Sequence, residues 1–342
     1  MSDAHTGVKK AALLLPEEAL RSYVSARLAE TDGKVGSSPA GIEVEILDVS
    51  GGPPPTDRLS QFDVLITGWR TPLLPPELAH FDDRNRYLCH LTGTLRSNVP
   101  RELIASPKWI VTNWGTSISG FVSEMHLALL LGVSRRFSEI RRVMETGEGW
   151  KRELPPGTSL FGRRIGFYGY GLIGREFHKL VEPFGVKVRI FDPYASPDDI
   201  PASATRVSSL EELFRESDII SIHAGLTAET EGSIDYRLLS LLPEDGIVVN
   251  TARAGIIREE ALLQAVEDTG LRFGLDVFHK EPLDPDSPLV SSPTVLCTPH
   301  SAGVVANQFE MIWATAQANL LRYASGEDLR FVVDEKLYDR MT

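Results

Sequence analysis

Short apolar runs alternate with amphipathic stretches along the whole chain. That is the pattern of parallel strands covered on both faces by helices. In the first third, Ala11–Leu15, Val44–Leu47, Val64–Thr67, Tyr87–Leu91 and Trp109–Thr112 predict strands, and Glu17–Ala29 predicts a helix. The Gly-, Ser- and Pro-rich segment Thr31–Gly41 predicts a surface loop. One long helix is expected from Ser119 to Met144; its stretch Glu124–Leu131 is apolar on more than one face, which predicts burial. After a break at Pro155-Pro156-Gly157, a second strand series reads Arg164–Phe167, Lys187–Phe191, Ile219–Ile222, Ile247–Asn250, Arg272–Leu275 and Val295–Cys297. Helices such as Glu259–Glu267 fill the gaps, and a last helix is expected over about Asn307–Ala324. Two such series in 342 residues imply two doubly wound parallel-sheet α/β domains.

Charge narrows the partners. A net charge of -12 repels phosphate backbones and anionic lipid, so neither nucleic acid nor membrane is expected as a partner. An anionic ligand must then be captured by local cations. The only cysteines, Cys89 and Cys297, lie in apolar runs and are expected to be buried; their scarcity suggests a reducing compartment. No run approaches the ~20 apolar residues of a spanning helix, and Ala11–Leu15 is too short for a signal peptide. A cytoplasmic protein is expected, with no metal site.

The strongest local motif is Ile165-Gly166-Phe167-Tyr168-Gly169-Tyr170-Gly171-Leu172-Ile173-Gly174. The pattern G-x-G-x-x-G falls on Gly169, Gly171 and Gly174, after an apolar strand and before a helical pattern. Alone it is weak, but that context suits a pyrophosphate resting on a helix N-terminus. The next strand ends in Asp192, eighteen residues past Gly174, close to the ~20 expected of a ribose-binding acid. A carboxylate there repels a 2′-phosphate, and no arginine follows in Pro193–Ser196. NAD is therefore expected rather than NADP.

Three further strand ends carry ionisable groups, at the sheet edge where ligands of open α/β sheets bind. Arg253 follows Asn250-Thr251-Ala252, and its planar fork can bind a carboxylate. Asp276 and Glu281 lie in Gly274-Leu275-Asp276-Val277-Phe278-His279-Lys280-Glu281-Pro282. His300 follows Thr298-Pro299 and could exchange a proton near neutral pH. Each alone is more often structural. Together they suit ketone reduction: a hydride donor, a group for the substrate carboxylate, and an acid whose charged form a neighbouring carboxylate favours.

At these residues the chain resembles the D-isomer-specific 2-hydroxyacid dehydrogenase family, from about Val64 to Val333 and with the motif order preserved. The resemblance implies Arg253, Glu281 and His300 as the catalytic set and NAD as cofactor. It implies cofactor contacts at Thr94, Gly169, Gly171, Leu172, Ile173, Gly174, Asp192, Ala224, Thr251, Ala252, Arg253, Asp276, His300 and Gly303. It implies substrate contacts at Trp69, Gly93, Thr94, Leu95 and Arg253, the substrate being a small 2-oxo or 2-hydroxy acid. It also implies a Rossmann NAD-binding domain over 117–304, a flavodoxin-like substrate domain made of 1–116 and 305–342, and a homodimer around the long helix near Glu124.

The departures bear on substrate rather than on catalysis. The family loop reads close to A-G-V-G-x-D; here it is Thr92-Gly93-Thr94-Leu95-Arg96-Ser97. Trp69 stands where many members have a small polar residue, and Gly225 where Pro is common. Trp69 and Leu95 are expected to narrow the pocket, and Arg96 to bind an extra anion or face solvent. Two other readings share this architecture: an NADH-sensing co-repressor of the C-terminal-binding-protein type, and a phosphite-type dehydrogenase. A formate-type enzyme is disfavoured because it usually carries Gln at the position of Glu281.

Overall fold

The computed structural model describes residues 9–16, 18–20, 34–35, 41–147 and 156–341. Most of the expected helix Glu17–Ala29 and of the expected loop Thr31–Gly41 lies outside the described residues. The chain divides into two compact units, 1–118 with 305–342 and 119–304.

The first unit is built on β1 (Lys10–Leu13), β2 (Lys34–Val35), β3 (Glu43–Ile46), β4 (Val64–Thr67), β5 (Arg86–His90) and β6 (Trp109–Thr112), in the order β2-β3-β1-β4-β5-β6. Five strands are parallel; β2 is a two-residue antiparallel piece at the edge. The alternation of side chains explains why the strands read as unbroken apolar runs. Ala11, Leu13 and Leu15 join one cluster with Val64, Ile66 and the helix residues Ile312, Ala316 and Leu320. Ala12 and Leu14 join another on the opposite face, with Leu65, Leu88 and Val111.

The second unit carries β7 (Arg164–Tyr168), β8 (Lys187–Phe191), β9 (Ala204–Arg206), β10 (Ile219–Ile222), β11 (Ile247–Asn250), β12 (Arg272–Leu275) and β13 (Val295–Cys297). All seven are parallel, in the order β13-β12-β11-β10-β7-β8-β9. This is the doubly wound dinucleotide-binding order, with its reversal point between β7 and β10. Ile220, Ile222, Val248 and Phe273 face one cluster; Ile165, Phe167, Ile219, Ile247 and Val249 face the other. The helix Ser119–Ser134 packs across β11, β12 and the helix Leu172–Val181, and buries Val122, His126, Leu129, Leu130 and Val133.

Several expectations need correction. The helix expected from Ser119 to Met144 is two helices, Ser119–Ser134 and Phe137–Thr146. Arg136 breaks it at φ 60°, where its guanidinium reaches both Glu139 and Asp245. Cys297 is half-buried rather than buried, whereas Cys89 is buried as expected. Strand β9 went unread because Ala-Thr-Arg at a sheet edge has no apolar signature. The helix Glu335–Arg340, capped by the Asp334 side chain, was also missed.

The break at Arg136 sets Glu139 against Arg272, which is 5% exposed at the start of β12 and is held in a two-point ion pair at 2.9 and 3.1 Å. Removing one partner of such a pair strands a buried charge. Glu139→Ala is expected to cost about 3 kcal/mol in chemical unfolding, and the pair Glu139→Leu with Arg272→Met to recover most of it. An unchanged midpoint in Glu139→Ala would show that Asp245, 3.6 Å away, suffices alone.

Candidate active site

The strands of the second unit end at one sheet edge, and the turns leaving that edge carry most of the residues singled out above. In the glycine turn after β7, Gly169 has φ +88°, and a Cβ there would lie 2.6 Å from the Ala224 nitrogen. Only glycine fits between β7 and β10 at that point. Gly171 is different. Its backbone is ordinary, at φ -77° and ψ -159°, and a Cβ would meet nothing within 4 Å. Protein packing therefore gives no reason for glycine at 171, whereas a ligand resting on the turn does. The helix Leu172–Val181 starts immediately. The N–H groups of Leu172, Ile173 and Gly174 have no acceptor inside it and present its positive end. These residues fit a dinucleotide pyrophosphate.

Asp192, at the end of β8, closes this turn. Its Oδ2 accepts from Tyr170 N at 2.7 Å, and its Oδ1 from Tyr194 N at 2.8 Å and Ala195 N at 3.0 Å. No arginine follows directly along the chain, in Pro193–Ser196. The unread strand β9 brings Arg206 to the Asp192 carbonyl at 3.0 Å.

His300 and Glu281 meet. Glu281 Oε2 lies 2.7 Å from His300 Nδ1, and Oε1 accepts from Phe278 N at 2.9 Å. A carboxylate oxygen accepts, so Nδ1 carries a proton and Nε2 is left for another partner. Burial alone would raise the Glu281 pKa, but hydrogen bonds from His300 and Phe278 and the charge of Arg253 hold it below its ordinary value. Arg253 is partly buried, and its Nη1 donates to the Ala252 carbonyl at 2.7 Å. Asn250 fixes this turn: its Oδ1 accepts from Ala252 N and its Nδ2 donates to the Arg253 carbonyl, both at 2.9 Å. Glu281 and His300 border a cavity of about 650 Å³ with Phe278, Pro282, Leu283, Cys297, Thr298 and Pro299.

His300 sits at φ 52°, a region that side chains other than glycine rarely adopt. Asp276 holds it there. Asp276 is 1% exposed; its Oδ1 accepts from the Thr298 hydroxyl at 2.5 Å and from Ser301 N at 2.9 Å, and its Oδ2 from Ala302 N at 2.9 Å. Both oxygens are therefore engaged by the turn that carries His300 and leads to Gly303.

A network beneath Thr251 was missed in the sequence. His126 Nδ1 pairs with Thr251 Oγ1 at 2.9 Å, and its Nε2 with Ser221 Oγ at 2.7 Å; Ser221 Oγ also meets His223 Nε2 at 2.7 Å. Burial pushes His126 well below the usual imidazole range and His223 down to about 3, so both stay neutral. The available signal was a histidine inside an otherwise apolar helix, because a buried imidazole needs partners.

The first unit places its own residues at the ends of β4, β5 and β6. His90 is 1% exposed; its Nε2 meets the Thr94 carbonyl at 3.0 Å and Thr92 Oγ1 at 2.6 Å, and its Nδ1 meets Thr67 Oγ1 at 2.8 Å. The carbonyl can only accept, so Nε2 carries the proton. Burial lowers the His90 pKa to about 4. Asn113 Nδ2 donates to the Gly93 carbonyl at 3.0 Å. The carbonyls of Thr92 and Leu95 are also taken, by Trp114 N and by Asn98 N and Val99 N. Among the described residues, nothing accepts from the N–H groups of Gly93, Thr94 or Leu95. The expectation that the Leu95 side chain narrows a pocket is corrected: it is 0% exposed, in the core with Leu88 and Leu103. Trp69 is 53% exposed. Arg96 is exposed and donates to the Met341 carbonyl at 3.3 Å.

Comparison with known proteins agrees with this geometry. A family model described as the D-isomer specific 2-hydroxyacid dehydrogenase NAD binding domain matches residues 127–302. The chain belongs to that family. It is 38% identical over 209 residues to D-3-phosphoglycerate dehydrogenase of Mycobacterium leprae, a match covering 61% of this chain but only 39% of that protein. It is 32% identical over 225 residues to glyoxylate reductase of Aeropyrum pernix, covering 64% of this chain and 67% of that one. The fold matches D-lactate dehydrogenase with NAD+ from Lactobacillus jensenii, with TM-score 0.73, 22% identity, and 95% and 99% of the two chains covered. Among the described residues, no helix is long and apolar enough to cross a membrane.

The Asp276 clamp is testable. Asp276→Asn replaces one acceptor oxygen with a donor and leaves one backbone N–H, that of Ser301 or Ala302, without its acceptor. A loss of about 2 kcal/mol is expected in thermal or chemical unfolding. A fully stable variant would show that the turn holds itself.

Proposed function

We propose that this protein interconverts a 2-oxo acid and its 2-hydroxy acid with NAD(H), using His300 as acid and base. The observation that carries the reading is the 2.7 Å contact between Glu281 Oε2 and His300 Nδ1, with Arg253 on the turn after β11. It lies on the same sheet edge as the glycine turn. When bound at Gly169–Gly174, Asp192, Thr251 and Ala252, the nicotinamide cofactor supplies or accepts the hydride. The chain's own groups do the rest. The Arg253 guanidinium holds the substrate carboxylate and polarises the adjacent carbonyl. Glu281 orients the imidazole by accepting from its Nδ1. In reduction, His300 Nε2 gives its proton to the carbonyl oxygen; in oxidation, neutral Nε2 takes it back. In the other unit, the unpaired N–H groups of Gly93, Thr94 and Leu95 form an anion-accepting turn of their own. The domain roles follow: 119–304 holds the cofactor and the other unit selects the substrate. A cytoplasmic location fits this reading.

His300→Ala is expected to lose ~10²–10⁴ in kcat. The sign of the pH dependence follows from the proton's role. Reduction needs the imidazolium, so its kcat/KM falls as pH rises; oxidation needs neutral imidazole, so its kcat/KM rises. Glu281→Gln removes the carboxylate that orients the ring, and is expected to lower kcat in both directions. Parallel pH profiles for the two directions would exclude His300 as the shared group.

The same reading includes a homodimer. The helix Phe137–Thr146 buries none of its residues, and exposes Phe137, Ile140 and Met144 by 54%, 37% and 61%. That apolar stripe supports a second copy as its cover. Light scattering should give twice the chain mass, and Met144→Lys should lower it; monomeric wild-type protein at micromolar concentration would end this proposal.

A further inference from the structure

The first unit carries features that narrow the substrate. Leaving aside the short edge piece β2, its strand order β3-β1-β4-β5-β6 reverses direction between β1 and β4. Ligands of such sheets bind outside the carboxyl ends of the strands at that reversal. Trp69 stands there, on the turn after β4.

That turn is fixed rather than loose. Gly68 N donates to Thr71 Oγ1 at 2.9 Å, and Thr71 N to the Gly68 carbonyl at 3.0 Å. The Thr71 hydroxyl donates to the Leu14 carbonyl at 2.5 Å, and Asn98 Nδ2 to the Trp69 carbonyl at 3.2 Å. A large apolar ring is thus half in solvent on a backbone with little freedom, which lowers the ordering cost of a contact made there.

The Trp69 ring meets Trp114 edge to face, with centroids 5.1 Å apart and planes at 82°. Trp114 in turn lies against the Gly93 backbone: a Cβ on Gly93 would be 2.7 Å from its Cζ2 and 2.9 Å from its Nε1. The glycine is therefore required by the indole. Beside it run the N–H groups of Gly93, Thr94 and Leu95, unclaimed among the described residues. The cations nearest along these turns are engaged elsewhere. Arg70 pairs with Glu18 at 2.9 Å, and Arg96 donates to the Met341 carbonyl.

Resting on the dehydrogenase reading above, we infer that the Trp69–Trp114 pair beside the Gly93–Leu95 amides selects 2-oxo acids with an aromatic or bulky apolar side chain. The amides take the carboxylate and the two indoles take the apolar body. A two-carbon acid leaves the rings in water. A phosphorylated side chain sets a doubly charged group against aromatic faces, which repel anions.

The test uses the full chain with NADH and five acids: phenylpyruvate, 4-methyl-2-oxopentanoate, pyruvate, glyoxylate and 3-phosphohydroxypyruvate. The two bulky acids are expected to exceed the other three in kcat/KM by about tenfold or more. Trp69→Ala should raise KM for phenylpyruvate by about tenfold, and Trp69→Phe should restore most of it, since both rings are flat and apolar. Faster turnover of a small or phosphorylated acid, with phenylpyruvate kinetics unaltered in Trp69→Ala, overturns the inference and leaves the dehydrogenase reading standing. Should none of the five oxidise NADH, that reading fails instead. Titration with 3-phenyllactate, followed by indole fluorescence without cofactor, then decides the inference. Saturable quenching that weakens in Trp69→Ala upholds the aromatic site, and no quenching removes it.

Discussion

A parallel sheet lets all its strands end at one edge, and there the backbone loses its ladder partners. Buried N–H and C=O groups cannot be left unpaired, so each turn must be closed by a side chain that reaches back. In the second unit Asp192 closes the glycine turn, Asn250 the Arg253 turn and Asp276 the His300 turn. In the first unit Thr71, His90 and Asn113 do the same for the turns after β4, β5 and β6. The candidate site residues are set on turns that this requirement has already made rigid.

The histidines near this edge differ in exposure, and burial decides which of them stay neutral. His126 and His223 are pressed into the sheet, share Ser221 and stay neutral because burial disfavours the cation. His300 is half-exposed beside a carboxylate, with one nitrogen spent on Glu281. The left-handed backbone at His300 costs free energy that the buried Asp276 carboxylate offsets through three hydrogen bonds.

Much of this was legible in the sequence. Strands with both faces covered read as apolar runs, so Val64–Thr67, Lys187–Phe191 and Ile247–Asn250 match their observed bounds. The pairing of Glu281 with His300 was also expected from chemistry alone. What failed had no periodic signal. Ala204–Arg206 is too short and polar to read as a strand, yet it returns Arg206 to Asp192. The break at Arg136 depends on Glu139 and Asp245, one of them far along the chain. His90 and His126 looked like parts of apolar runs, because their partners are set by topology rather than by spacing.

Leu95 and Trp69 show why family motifs place a turn better than they place its side chains. Both depart from the usual pattern, and both were expected to crowd a pocket. The structure separates them: Leu95 turns wholly into the core, whereas Trp69 stands half in solvent against Trp114. A Leu in a turn has an apolar cluster to join when the neighbouring strand presents Leu88 beneath it. An indole tied down through its own backbone has no such escape, since Asn98 and Thr71 fix the turn from which it projects. The matched family domain, 127–302, excludes all of these residues. Resemblance in that half therefore bears on the dinucleotide-binding unit, and leaves the turns that carry Trp69, Gly93 and Trp114 to be read from their own packing.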